Sequence, residues 1–331
     1  MFENNTTGFG ESYESVDRQS GESEETPLFV VNDIFVVIGL IAVPLNIFAF
    51  LVLQKYPKVM GEVACLYHKA LAITDGITGL ACISWALRFI TDSTYVALVV
   101  RGITNSMVIN SLLLLTIISV DRFVAIEDPL RHLSLFTPNL AIKLILSVTV
   151  IPCLYFATFA FVRLAADNAS FVKESTEISD VLELAHIIIS TSIYVVAAFF
   201  LTMFNILLLI ATVRFYLNRG ILQNKSKEHR LKNLFKTVRM VLAMTGAFYA
   251  SFLPIIIVTF LFFFGVRISV NLLYSVIVVV QLNSLFNPFL YMLLNPQFRR
   301  AALKSIGVGH EGKARILDIS SRNQGTGSTN L

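Results

Sequence analysis

One carboxylate stands alone in an apolar stretch: Asp75, in LAITDGITGL, has no basic residue within about a helical turn. A carboxylate in such surroundings must be protonated, paired through space or bound to a cation. Ser111, Asn283, Ser284 and Asn287 fall at comparable depth in later apolar stretches and offer oxygen atoms to such a site. The plainer reading is a polar cluster that only joins helices. A second constellation lies in SVDRFVAIEDPLRH, Ser119 to His132, where Asp121 and Arg122 stand side by side at the end of a long apolar run. A buried charge is costly unless paired, and this pair falls about where a membrane span leaves the bilayer. No metal-ligand cluster or nucleophile–base pair appears in the apolar stretches, so no enzyme is expected. An ion channel or transporter that relays ions through Asp75 remains the alternative class.

The elements that position these residues follow from composition. Of 331 residues, 55% are hydrophobic and 15% charged, with mean hydropathy +0.72, whereas a soluble protein averages nearer ~25% charged. A bilayer requires roughly 20 apolar residues per helix. Seven such runs are present: about Val30–Leu53, Val63–Phe89, Val96–Ile126, Leu140–Phe161, Leu184–Phe215, Leu234–Phe264 and Val270–Leu294. Irregular backbone exposed to lipid is forbidden at that depth, so these runs are helices. The expected fold is an all-α membrane protein, a seven-transmembrane helix bundle. Pro254 and Pro288 each remove a backbone donor inside a span and kink it.

After Tyr291 the chain reads MLLNPQFRRAALKSI, in which Phe298, Ala301 and Ile306 alternate with Arg299, Arg300 and Lys304. That pattern suits a short amphipathic helix on the cytoplasmic membrane face. The expected division is an acidic outer tail over 1–29, the helical domain over 30–306 and a disordered cytoplasmic tail over 307–331. Lys and Arg concentrate in alternate loops and after Phe298, which by the positive-inside rule places the N-terminus outside and the C-terminus in the cytoplasm. Sequons at Asn4, Asn5 and Asn168 fall on the outer side. None of the three cysteines, Cys65, Cys82 and Cys153, falls in an outer loop, so no outer disulfide is expected.

Five motifs, in order along the seven runs, resemble those of the rhodopsin-like G-protein-coupled receptors, a likeness covering roughly Phe35 to Ile306. Asn46 looks like the family's first-span asparagine. LAITD ending at Asp75 matches its second-span signature, and Asp121-Arg122-Phe123 matches DRY with Phe for Tyr. Phe248-x-x-Ser251-Phe252-Leu253-Pro254 is similar to FxxCWxP, and Asn287-Pro288-Phe289-Leu290-Tyr291 is a complete NPxxY. The resemblance implies a receptor of the plasma membrane that binds an extracellular ligand and activates a heterotrimeric G protein. Arg122, held by Asp121 at rest, would turn to the G protein as the sixth span swings outward. It also implies a sodium ion at Asp75, Ser111, Asn283, Ser284 and Asn287, and no other cofactor. Nucleic acid is not an expected partner.

Departures from the family pattern narrow the ligand. Thr104 stands where amine receptors carry aspartate, seventeen residues before Asp121, and Gln281 stands where an opsin carries its lysine. The missing outer cysteine, where Ala97 stands, and the absence of a fifth-span proline give a likeness to the melanocortin, cannabinoid and lysophospholipid receptors. Helical spacing from Ser111 places Val108, Thr104 and Arg101 on one face towards the outside. Trp85 and Arg88 approach from the second span, and Phe252, Phe260 and Tyr274 are expected to line the other walls. An apolar pocket with arginine at its mouth suits a greasy molecule bearing a carboxylate or phosphate, while the acidic outer loops suit a cationic peptide. The plainer reading of Arg88 and Arg101 is that they only snorkel to lipid headgroups. The terminal STNL, with Thr329 before Leu331, fits the pattern that PDZ domains read.

Overall fold

The computed structural model describes residues 25–91, 94–168, 175–217 and 225–307. The sequons at Asn4 and Asn5, and the terminal Thr329 and Leu331, lie outside those residues. So do the side chains of Arg88 and Asn168, which sit inside helices. In chain order the helices are α1 (Glu25–Lys55), α2 (Glu62–Thr91), α3 (Thr94–Glu127), α4 (Pro129–Leu135) and α5 (Pro138–Asn168). They continue as α6 (Ser175–Leu217), α7 (Lys225–Phe263), α8 (Val270–Gln281), α9 (Asn283–Leu294) and α10 (Pro296–Ser305). A single 3-10 turn, Pro57–Val59, links α1 to α2. The described residues form no strand. The bundle's seven spans are α1, α2, α3, α5, α6, α7 and the broken pair α8–α9.

Among the described residues, six of these spans are long and apolar enough to cross a bilayer. The second carries Glu62, His68, Lys69 and Asp75. Its polar side chains turn inward: His68, Thr74, Asp75 and Thr78 are all buried. Large apolar side chains cover the outside instead, with Phe199 63% and Leu293 67% exposed. This inside-out arrangement is what lipid as solvent selects, since helices gain little by hiding leucine from hydrocarbon. Association then rests on close packing and interhelical hydrogen bonds.

Close packing is most evident between α1 and α2. A methyl group on Gly39 would overlap the Gly79 carbonyl oxygen, and one on Gly79 would lie 3.0 Å from the Ala42 Cβ. Glycine at both positions lets the two backbones touch. The central span is α3, whose Leu112, Leu115 and Ile118 are buried among Leu71, Leu201, Leu208, Val241, Met244 and Tyr291. Helix α4 starts where Asp128 accepts a hydrogen bond from the Arg131 amide (3.0 Å), with Pro129 in the first turn.

Pro254 lies inside α7 and Pro288 inside α9, where kinks are expected, and Pro44 and Pro152 lie inside α1 and α5 as well. The seventh span breaks six residues before Pro288, at Leu282 between α8 and α9. Pro288 has no N–H to give the Ser284 carbonyl four residues back. The Asn46 side chain in α1 supplies that bond, its Nδ2 donating to Ser284 O at 2.9 Å. The amphipathic helix is α10, capped by Asn295, which accepts from the Gln297 and Phe298 amides. It buries Phe298, Ala301 and Ala302. Ile306, expected on that face, is 59% exposed because it caps the helix rather than continuing it.

Candidate functional site

At one end of the bundle Asp121 is fully buried and accepts hydrogen bonds from two side chains. Arg122 donates to Oδ2 from Nε at 2.7 Å and again from Nη2. His132, on α4, donates from Nε2 to Oδ1 at 2.9 Å, and its ring stacks on Phe136. Both carboxylate oxygens are thus engaged, one by the adjacent residue and one by a separate helix. Sequence reasoning missed His132. The signal was the Asp128-Pro129 helix start, which turns the chain back so that His132 faces Asp121. Phe123 packs against the central core beside this pair.

The sequence-expected polar cluster also assembles at mid-bundle. Ser111 Oγ donates to Asp75 Oδ1 at 3.3 Å, and Asn287 Nδ2 donates to Oδ2 at 2.7 Å. Asn283 and Ser284 are buried nearby in α9, where the Ser284 hydroxyl donates to the Gln281 carbonyl at 2.8 Å. Asn46 Oδ1 and Gln281 Oε1 are buried without a protein partner among the described residues. A carboxylate with neighbouring hydroxyl and amide oxygens, and no cationic side chain bonded to it, is the donor set of a hard cation. The residues present fit a sodium ion.

The other residues of the sequence motifs pack within the bundle. Phe248 and Phe252 stack at 4.1 Å between ring centroids, with Pro254 half a turn beyond Phe252 in α7. Tyr291 is fully buried and meets His68 edge-on at 5.3 Å and Phe298 at 5.5 Å, so it joins α2, α9 and α10. His68 was not anticipated from sequence. Its Nδ1 donates to the Ala64 carbonyl at 2.7 Å, which leaves Nε2 an acceptor. Two further interhelical chains were not legible. Thr149 donates to Asn110 (3.3 Å), which donates to Thr74 (2.9 Å). Thr245 donates to Asn205 (3.3 Å), which donates to Ser119 (3.1 Å).

The expected ligand pocket does not assemble as one set of walls. Phe260 is 61% exposed and packs on Phe264, on the same outer face of α7 as Leu253 and Ile257. Eight residues past Phe252, the helix has turned it away from the stripe that carries Phe248 and Phe252. Trp85 packs with Phe35 (5.8 Å) on the seam of α1, α2 and α8. Arg101 instead lines a narrow crevice of α3, α5 and α6 with Asn105, Phe156, Phe159 and His186. Val108 is buried and Thr104 half-buried, its hydroxyl bonded to the Val100 carbonyl, while Tyr274 is half-buried on α8.

A seven-helix membrane bundle with a paired arginine at one end and a polar cluster at its middle is the architecture of a transmembrane receptor. The family model of the 7 transmembrane receptor (rhodopsin family) matches residues 36–291, and the chain belongs to that family. It is also similar to the somatostatin receptor type 4 of Rattus norvegicus, 24% identical over 284 residues that cover 83% of this chain and 72% of that one. The protein is therefore a multi-pass membrane receptor that signals through G proteins, not an enzyme.

Proposed function

We propose that a ligand entering at the Trp85 and Arg101 end shifts the bundle towards a state in which Arg122 leaves Asp121, α7 swings outward, and a heterotrimeric G protein docks at the Arg122 end. The N-terminus is then extracellular. The observation that carries this reading is the doubly engaged Asp121, which keeps Arg122 folded onto its own helix. The side chains of α7 support it: Thr245 and Tyr249 bond to Asn205 and Ala198 of α6 rather than to Arg122. A ligand that favours the open state shifts this equilibrium only by its differential affinity for the two states. When bound at Asp75, a sodium ion supplies the positive charge that lets the buried carboxylate stay ionised. Ser111 and Asn287 orient that carboxylate, and Asn283 and Ser284 are buried about one turn before Asn287 in α9.

Purified receptor in lipid nanodiscs, mixed with a panel of G-protein heterotrimers, should accelerate guanine-nucleotide exchange, and Arg122→Ala should abolish that acceleration while leaving expression intact. In liposomes it should pass no ion current. Sodium flux that depends on Asp75, with no exchange, would establish the channel or transporter alternative. The relative's name is that of a somatostatin receptor. At 24% identity the name does not define the ligand of this chain.

A further inference from the structure

Beside the Asp75 cluster runs a second cross-link between α2 and α3, and it carries no charge. Asn110 is buried, and its Nδ2 donates to the Thr74 hydroxyl oxygen at 2.9 Å. Its Oδ1 accepts from the Thr149 hydroxyl of α5 at 3.3 Å. The amide fits only this way round. Thr74 gives its own hydroxyl hydrogen to the Ala70 carbonyl (3.0 Å), so towards Asn110 it can only accept. Each partner in this tie immediately precedes a residue of the charged pair: Thr74 precedes Asp75, and Asn110 precedes Ser111. One residue turns a helix by about 100°. The neutral tie therefore looks towards α5, while the Ser111–Asp75 bond looks towards α9, where Asn287 meets the same carboxylate at 2.7 Å.

We propose that Asn110 is a positioning residue for a cation at Asp75, an inference that rests on the reading of the Asp75 cluster as a sodium site. A hard cation binds tightly only where its oxygen ligands are held at set distances. The Ser111–Asp75 bond is long at 3.3 Å and holds its two oxygens loosely. A slip of α2 along α3 by one residue's rise, about 1.5 Å, takes it out of reach. The shorter Asn110–Thr74 bond resists that slip, and being uncharged it does so with or without an ion. Thr149 carries the restraint on to α5, so three spans are kept in register beside the ion. Asn110 is not itself a ligand, since both ends of its amide are taken. It acts through the backbone it shares with Ser111 and through Thr74, as groups behind the ligands of other metal sites do.

The test follows thermal unfolding of the full chain as sodium chloride replaces choline chloride at constant ionic strength. Sodium should raise the Tm of the wild type in a saturable way, and Asp75→Asn should remove that response. Asn110→Leu keeps the size of the side chain, and it leaves Thr74 bonded to Ala70. Its Tm in choline should stay near the wild type's, while the sodium concentration at half-saturation rises about tenfold. Thr74→Val removes the other partner, should shift half-saturation by a similar factor, and serves alone if Asn110→Leu does not fold. The double variant should shift it no further than either single one, because both break the same bond. Wild-type half-saturation in Asn110→Leu and Thr74→Val, or shifts that multiply in the double variant, overturns the positioning role and leaves the sodium site standing. A wild type that does not respond to sodium overturns the site itself, and the positioning role with it.

Discussion

Asp121 is satisfied from two directions, and the two bonds carry different consequences. The Arg122 bond stays within α3 and could be read from adjacent letters. The His132 bond joins α3 to α4 across eleven residues, and it depends on a short helix that the residues alone do not place. Removing the imidazole leaves one buried carboxylate oxygen without its donor. A hydrogen bond of this kind contributes about 1 kcal/mol net, and more to a charged acceptor. His132→Ala should therefore loosen the resting arrangement of Arg122 and raise ligand-free nucleotide exchange roughly fivefold. His132→Gln, which can still donate through its amide, should restore most of the restraint. Unchanged or reduced exchange in His132→Ala would show that the bond does not hold the resting state. His68 escaped notice for a similar reason. A lone histidine in an apolar run gives no sign of which ring it will meet, and only the packing brings it to Tyr291.

Among elements, the spans were legible because the bilayer sets their length, and the amphipathic helix because charge and apolar residues alternate along it. The joints were less so. Pro288 announces a kink, but the break falls at Leu282, and Pro44 and Pro152 lie inside helices that continue past them. The Asn46 bond explains how the seventh span tolerates its proline. The Ser284 carbonyl, deprived of its usual N–H, takes one from α1 instead. Replacing Asn46 with alanine should leave that carbonyl unmet, at a cost of about 1–3 kcal/mol. A double-mutant cycle isolates the cause. In a Pro288→Ala background the backbone can supply the donor, so Asn46→Ala should cost markedly less thermal stability there than in the wild type. Equal losses in both backgrounds would mean that Asn46 acts through its other bond, to the Ala42 carbonyl at 2.9 Å.

In the orientation proposed above, charge is divided between the two ends. The first 29 residues and the stretch from 166 to 183 are acidic, while Lys and Arg gather in the loops on the other side and after Phe298. A long-range field of this sign attracts cations to the acidic end, within about 10 Å at ordinary salt. Against it stands Arg101, in a crevice walled by Phe156, Phe159 and Leu98, with Asn105 and His186 as polar neighbours. Short-range chemistry there favours an anion on an apolar body, since guanidinium binds carboxylate or phosphate while aromatic rings bury the remainder. The crevice as it stands leaves no room even for a water molecule, so such a ligand reaches Arg101 only where the helices around it part. The two ends thus offer rival ligand classes, a greasy acid and a basic peptide, and Arg101→Ala separates them. A panel of lipids and peptides should be run against wild type and Arg101→Ala side by side in the nucleotide-exchange assay. An acidic lipid that activates the wild type should lose at least tenfold in potency on the variant, the equivalent of about 1.4 kcal/mol. If instead a basic peptide is the activator, Arg101→Ala should leave its potency equal or improved, and moderate salt should weaken it. That outcome would assign recognition to the acidic segments and remove Arg101 from the ligand site.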